Sequence, residues 1–179
     1  MPLRNPLDVI KADVPLPYGY TAAQNFTTLA WMVRRMPTQP APIGADVWKG
    51  RTAPSLEDFE ALANEAFAGL PDEFRKLTGD VVFQVADFGD EALLKDLGIT
   101  DPFELSGLYD GQPLSQRSVF QTGVRPSMIF LYRRPILDEW AERGDLSLLE
   151  LVTYVLVHEI GHHFGLTDGD IHAIEDEGD

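Results

Sequence analysis

Four residues near the C-terminal end of the chain have the types and spacing to activate water on a metal. His158-Glu159-Ile160-Gly161-His162 has the form H-E-x-x-H. On a helix, residues four apart lie one above the other, with Cβ atoms about 5–6 Å apart. The imidazoles of His158 and His162 can therefore converge on one Zn2+ at about 2.0–2.1 Å. Glu159 projects beside them, placed to hold a water and take its proton. Zinc lowers the pKa of a bound water toward about 7 and polarises a carbonyl, so one centre supplies both the nucleophile and electrophilic help. The string runs on to Gly165 and Asp168, giving H-E-x-x-H-x-x-G-x-x-D. Glycine at the helix end lets the backbone turn back in a left-handed conformation. Asp168 then becomes a natural third ligand, leaving a fourth position open, as a catalytic site requires.

Other roles exist for the same residues. Asp170 and His172 are alternative third ligands, and either Asp168 or Asp170 could instead cap the short helical stretch from Ile171 to Glu175. His158 and His162 could be core histidines bonded to carbonyls. His163 points about 100° away from His162 around the helix and reads as a structural or supporting residue. Tyr109 and Tyr132 could reach the cleft, but they sit in strand-like segments, where aromatics usually belong to the core. The metal reading is favoured by the run from Leu151 to Val157, apolar around nearly the whole helix. A buried helix that suddenly presents His, Glu and His must satisfy them, because unpaired polar groups in the interior cost several kcal/mol.

The elements that must position these residues are legible in outline. Ser55, with Asp58 three residues on, resembles a capping box ahead of a helix on which Leu56, Phe59, Leu62, Ala63, Ala66, Phe67 and Leu70 repeat, ended by Pro71. Val81 to Val85 predicts a mostly buried strand, and Asp90 to Leu97 a short helix closed by Gly98. Phe103 to Tyr109 predicts another strand, with Asp110-Gly111 as a hairpin turn signal. Pro113 makes the returning strand an edge or irregular one. Met128 to Tyr132 predicts a buried strand, followed by a helix with Pro135 in its first turn and Gly144 at its end. Asp145 is positioned to cap the long helix that carries the motif and stops at Gly165.

Composition limits what else the chain can be. Its 179 residues fit one domain with an appendage, and 44% hydrophobic residues support a real core. Residues 1–47 hold seven of the thirteen prolines and predict a poorly ordered extension in which only Phe26 to Val33 is apolar enough for a short helix; residues 48–179 form the folded domain. With no cysteine, thiolate metal sites and cysteine nucleophiles are excluded, so imidazole and carboxylate must hold any metal. A net charge of −15 argues against nucleic acid and anionic membranes as partners. The longest apolar stretch, Leu146 to Val157, is too short to span a bilayer, and the first ten residues do not form a secretory signal. The expected location is the cytoplasm.

From about Trp48 to Glu175 the sequence resembles a small bacterial zincin-like family of zinc metallopeptidases, related to the metzincins but with aspartate where most of that clan has a third histidine. The likeness is carried by Gly107-Leu108-Tyr109-Asp110-Gly111, by Ile129 through Pro135, and most specifically by Val157 to Asp168. It implies a compact α+β fold with a mixed sheet and an active-site helix. It also implies Zn2+ on His158, His162 and Asp168, Glu159 as general base, and a peptide or protein substrate. The larger metzincins carry a methionine-containing turn beyond the third ligand; only eleven residues follow Asp168 here and none is Met. Two alternatives to a peptidase therefore stand: a metal-binding module with a non-proteolytic role, and a metal-dependent amidohydrolase acting on a small substrate.

Overall fold

Ser55 begins the first helix of the computed structural model, which describes residues 52–79, 81–116 and 125–176. The expected extension of residues 1–47, its Phe26–Val33 helix and the start at Trp48 lie outside those residues. Helix α1 (Leu56–Gly69) opens with the expected capping box: Asp58 N–H donates to Ser55 Oγ at 3.1 Å, and Ser55 N–H donates to Asp58 Oδ2 at 2.7 Å. Pro71 then caps a short helix, α2 (Asp72–Thr78), that the apolar pattern did not announce. Its inner face consists of Phe74 and Thr78, and Thr78 Oγ donates to the Phe74 carbonyl. Strand β1 (Val82–Ala86) forms where expected but is not mostly buried: Val82 and Gln84 are exposed and Phe83, Val85 and Ala86 half-buried, as suits a strand at the end of the sheet order. Helix α3 (Glu91–Leu97) follows as expected, with Asp90 as N-cap and Gly98 in the left-handed region.

The middle of the chain departs from expectation. The predicted strand from Phe103 is split into a 3₁₀ turn at Pro102–Glu104 and a shorter strand, β2 (Gly107–Asp110). The reason is local: Asp101 Oδ1 accepts from Phe103 N–H, and Pro102 occupies the first turn, so the chain coils before it extends. The described residues that follow Asp110-Gly111 form no returning strand; a second 3₁₀ turn at Leu114–Gln116 follows Pro113 instead. The antiparallel partner of β2 is β3 (Met128–Tyr132), with Leu108 opposite Phe130. Strand β1 lies parallel to the other side of β3, giving a mixed sheet of order β1-β3-β2.

Helix α4 (Arg133–Arg143) starts two residues before Pro135 and ends at left-handed Gly144. The Arg133 guanidinium donates to Asp87 and to the Pro54 carbonyl, joining the entrances of α1 and α4 to the end of β1. Helix α5 (Leu148–Phe164) is capped by Ser147 and not by Asp145. Glu150 N–H donates to Ser147 Oγ and Ser147 N–H to Glu150 Oε2, a reciprocal pair that Asp145, two residues too early, cannot make. Phe59, Ala63 and Ala66 of α1 join Ile129 and Leu131 of β3 and Leu151, Val152, Leu156 and Ile160 of α5 in one apolar core. The fold is thus α+β, with α1 and α5 layered on one face of a small mixed sheet. Among the described residues, no helix is long and apolar enough to cross a membrane.

Candidate metal centre

Helix α5 is buried on most of its circumference, and His158, Glu159 and His162 line an open cleft beside it. His158 and His162 are half-buried there, one turn apart, with ring centroids 5.0 Å apart. Gly165 closes the helix at φ +93°, a conformation that side-chain-bearing residues rarely adopt, and its N–H bonds the Gly161 and His162 carbonyls. The chain then reverses into α6 (Asp168–Asp176). Gly161 makes room for this return: a Cβ there would lie 2.9 Å from Ile171 Cδ1, and Ile171 is itself fully buried.

The cap of α6 decides which aspartate is presented to the histidines. Thr167 N–H and Oγ both donate to Asp170 Oδ2, at 2.9 and 2.6 Å, and Asp170 N–H reaches back to Thr167 Oγ. Thr167 is therefore the N-cap, and neither Asp168 nor Asp170 holds that position. Asp170 is occupied in the cap, while Asp168, the first residue of α6, is left to face the cleft. Its Oδ1 lies 3.3 Å from His158 Nε2 and 3.1 Å from His162 Nε2. His172 is exposed, its ring 6.1 Å from that of His158.

This donor set fits a divalent metal. The three ligand atoms lie within 4.8 Å of one another and form the metal-capable group found among the described residues. Ligands about 2.0–2.1 Å from a tetrahedral zinc stand about 3.3–3.4 Å apart, and the two distances to Asp168 match that spacing. The second ring nitrogen of His162 is also committed. Nδ1 lies 2.9 Å from the Leu166 carbonyl, which can only accept, so Nδ1 carries the proton and the Nε2 lone pair is freed for a metal.

Glu159 reaches into the narrow space between α5 and β2 and lines the same cleft as the histidines. Only 6% of it is exposed, and this burial pushes its carboxyl up from 4.5 to about 7; His162 and the Tyr109 backbone amide pull it down, and the Asp168 charge pushes it up. The close approach depends on Gly107. A Cβ at that position would stand 2.6 Å from Glu159 Oε1 and 2.8 Å from Val155 Cγ1.

Sequence reasoning missed a supporting network behind the site. The Tyr109 hydroxyl donates to the Gln112 carbonyl at 3.0 Å. With its single proton used, the phenol oxygen accepts from Ser127 Oγ at 2.9 Å and from His163 Nδ1 at 3.1 Å. His163 is fully buried and has the supporting place expected of it. Tyr109 is not simply a core aromatic: it lines the cleft and pins β2 to α5. Tyr132 is 2% exposed, as a core residue should be. The signal for Tyr109 was the Gly-Leu-Tyr-Asp-Gly string, whose first glycine clears Glu159.

The cleft has a volume of about 500 Å³ and runs along α5 from Asp168 and His162 past His158 to Tyr154. Glu104–Tyr109, Leu97 and Ile99 also line it. The model of the zincin-like metallopeptidases matches residues 78–178, over half the chain and including the whole site, so the chain belongs to that family. Membership brings a divalent metal, usually zinc, and peptidase-type hydrolysis at the level of the family. No curated protein matches the chain in sequence.

Proposed function

We propose that the protein is a zinc-dependent peptidase with His158, His162 and Asp168 as metal ligands and Glu159 as general base. The observation that carries this reading is the convergence of the three ligand atoms beside a buried carboxyl, on the floor of an open cleft. A zinc ion held by these residues would supply Lewis acidity, polarising a carbonyl and making water acidic enough to lose a proton near neutral pH. Glu159 takes that proton and returns it to the departing amine, and a carboxyl poised near 7 suits both transfers. Burial against β2 holds Glu159 in one orientation, and the Leu166 carbonyl holds His162 in the right tautomer.

The substrate's backbone has a partner in β2, which ends the sheet order on the side of the cleft. Tyr132 N–H donates to the Ser106 carbonyl at 2.9 Å, which sets the alternation of the ladder. Gly107 and Tyr109 therefore turn their backbone groups away from β3, toward the cleft. The Tyr109 amide meets Glu159; the remaining groups can pair with an extended peptide by strand addition. This edge and the elongated cleft favour a peptide over a small amide substrate. A purely structural metal module has no use for a proton-exchanging carboxyl beside its ligands.

The test is Glu159→Gln in zinc-loaded protein, incubated with a mixed peptide library and read by mass spectrometry. The expected result is retained zinc with cleavage reduced at least about 100-fold. Equal cleavage by the variant would remove Glu159 from the mechanism, and no cleavage by the unaltered protein would remove the peptidase reading.

A further inference from the structure

We propose that Leu97, Ile99 and Leu105 form a side-chain subsite that accepts a bulky apolar residue of the substrate and rejects an acidic one. The proposal rests on the peptidase reading of the same cleft and adds to it a substrate class. A single exposed leucine needs no explanation. Here three large aliphatic side chains share one wall of a concave site, and Leu97 is 48% exposed. Helix α3 contributes no buried residue to the core, so Leu97 at its end is not held there by core packing.

The wall is built firmly enough to select. Gly98 caps α3 in the left-handed region, and Ile99 N–H bonds back to the Leu94 carbonyl at 2.9 Å, which fixes the two leading side chains relative to the helix. Leu105 packs with Leu93 and Leu94 over Gly89, where an added Cβ would meet all three at 3.3–3.4 Å. Phe103 braces the same segment against Phe88, edge to face, with centroids 5.0 Å apart. Rigid walls lose little entropy on binding, which favours discrimination by shape.

Charge narrows the choice further. Among the described residues, the cleft lining includes Glu104, Glu139, Glu159 and Asp168 but neither lysine nor arginine. Arg143, 3.3 Å from Glu139, 3.6 Å from Asp145 and over the Tyr154 ring, offsets Glu139 among the four cleft carboxylates. A zinc ion held at Asp168 would neutralise charge there, whereas Glu104 directly precedes Leu105 in the lining. An acidic side chain would lose hydration against leucines and meet like charge. A leucine or phenylalanine side chain would only be removed from water, worth about tenfold or more in affinity.

The experiment uses acetylated dipeptide hydroxamates, Ac-X-Ala-NHOH and Ac-Ala-X-NHOH, with X as Ala, Leu, Phe or Glu, titrated calorimetrically into the zinc-loaded full chain. The hydroxamate needs only an open metal, so the alanine compound reports the metal centre and X reports the subsite. In one of the two series, leucine or phenylalanine should bind at least about tenfold more tightly than alanine, and glutamate more weakly than alanine. Leu97→Ser, at a position outside the core, should reduce the apolar preference to under about threefold while leaving the alanine compound unchanged. Equal binding of all X, or a preference untouched by Leu97→Ser, would overturn the subsite while leaving the metal reading intact. Failure of even the alanine compounds to bind would remove the open metal centre and the subsite with it.

Discussion

Replacing Gly107 by alanine places one methyl group where α5 and β2 are closest. The added Cβ would stand 2.6 Å from Glu159 Oε1, 2.8 Å from Val155 Cγ1 and 3.0 Å from Glu159 Cγ. Each distance is several tenths of an ångström short of an ordinary contact, and Glu159 accounts for two of the three. The neighbours cannot simply move aside, since Val155 belongs to the core cluster and Glu159 is 6% exposed. Overpacking of this kind costs about 1–3 kcal/mol. If the strain is mostly with Glu159, removing that side chain must relieve it. Gly107→Ala should therefore lower the unfolding free energy by about 2 kcal/mol in urea titrations of the metal-free protein. In a Glu159→Ala background it should cost about 1 kcal/mol less, a coupling measurable by a double-mutant cycle. Costs that add within about 0.3 kcal/mol would show that Glu159 is not held against β2, and would refute the positioning of the general base.

Three other outcomes follow from the same geometry. In metal-free protein, Glu159 is shifted from 4.5 to about 7, so the folded state keeps a proton that the unfolded chain loses as pH rises between these values. The ionised carboxyl then destabilises the fold, by up to about 3 kcal/mol above pH 7 and not at all below about 4.5. The stability of Glu159→Gln relative to the unaltered protein should rise by that amount across the window in denaturation series, and a flat difference would contradict the burial argument. Tyr109→Phe removes a hydroxyl bonded to Gln112, Ser127 and His163; it should cost about 1–3 kcal/mol by chemical denaturation, and under about 0.5 would show that the network is idle. Ser147→Ala breaks the reciprocal cap of α5 and should cost about 1 kcal/mol by the same assay, whereas Asp145→Ala should cost less than half of that.

How much of this was legible in the sequence differs by element. The H-E-x-x-H string, the apolar girdle of α5 and the glycine stop were readable because each has a local signature, and α5 is the element that carries most of the site. The cap of α5 was misassigned because Asp145 and Ser147 are both good cap residues, and only Glu150 three positions after Ser147 tells them apart. The same S/T-x-x-D/E pattern in Thr167 to Asp170 separates a capping aspartate from the one facing the histidines, although both were open readings until the cap was seen. Helix α2 escaped because seven residues with two inward side chains give too little periodicity to detect. The 3₁₀ turn before β2 had a local signal in Asp101-Pro102, a cap residue ahead of a first-turn proline, that the strand reading passed over. Gly107's clearance for Glu159, and the bond from His163 to Tyr109 across 54 positions, are tertiary facts with no local sequence pattern. The cleft's apolar lining is of the same kind, since Leu97 and Leu105 face one cleft only in the folded chain.

The central claim is that His158, His162 and Asp168 hold one zinc ion. Elemental analysis of the purified protein after incubation with zinc at neutral pH, beside His162→Ala and Glu159→Gln, tests it most directly. The account predicts one zinc per chain in the unaltered protein and in Glu159→Gln, and a loss of that zinc in His162→Ala. Little zinc in the unaltered protein, or full zinc in His162→Ala, would contradict it.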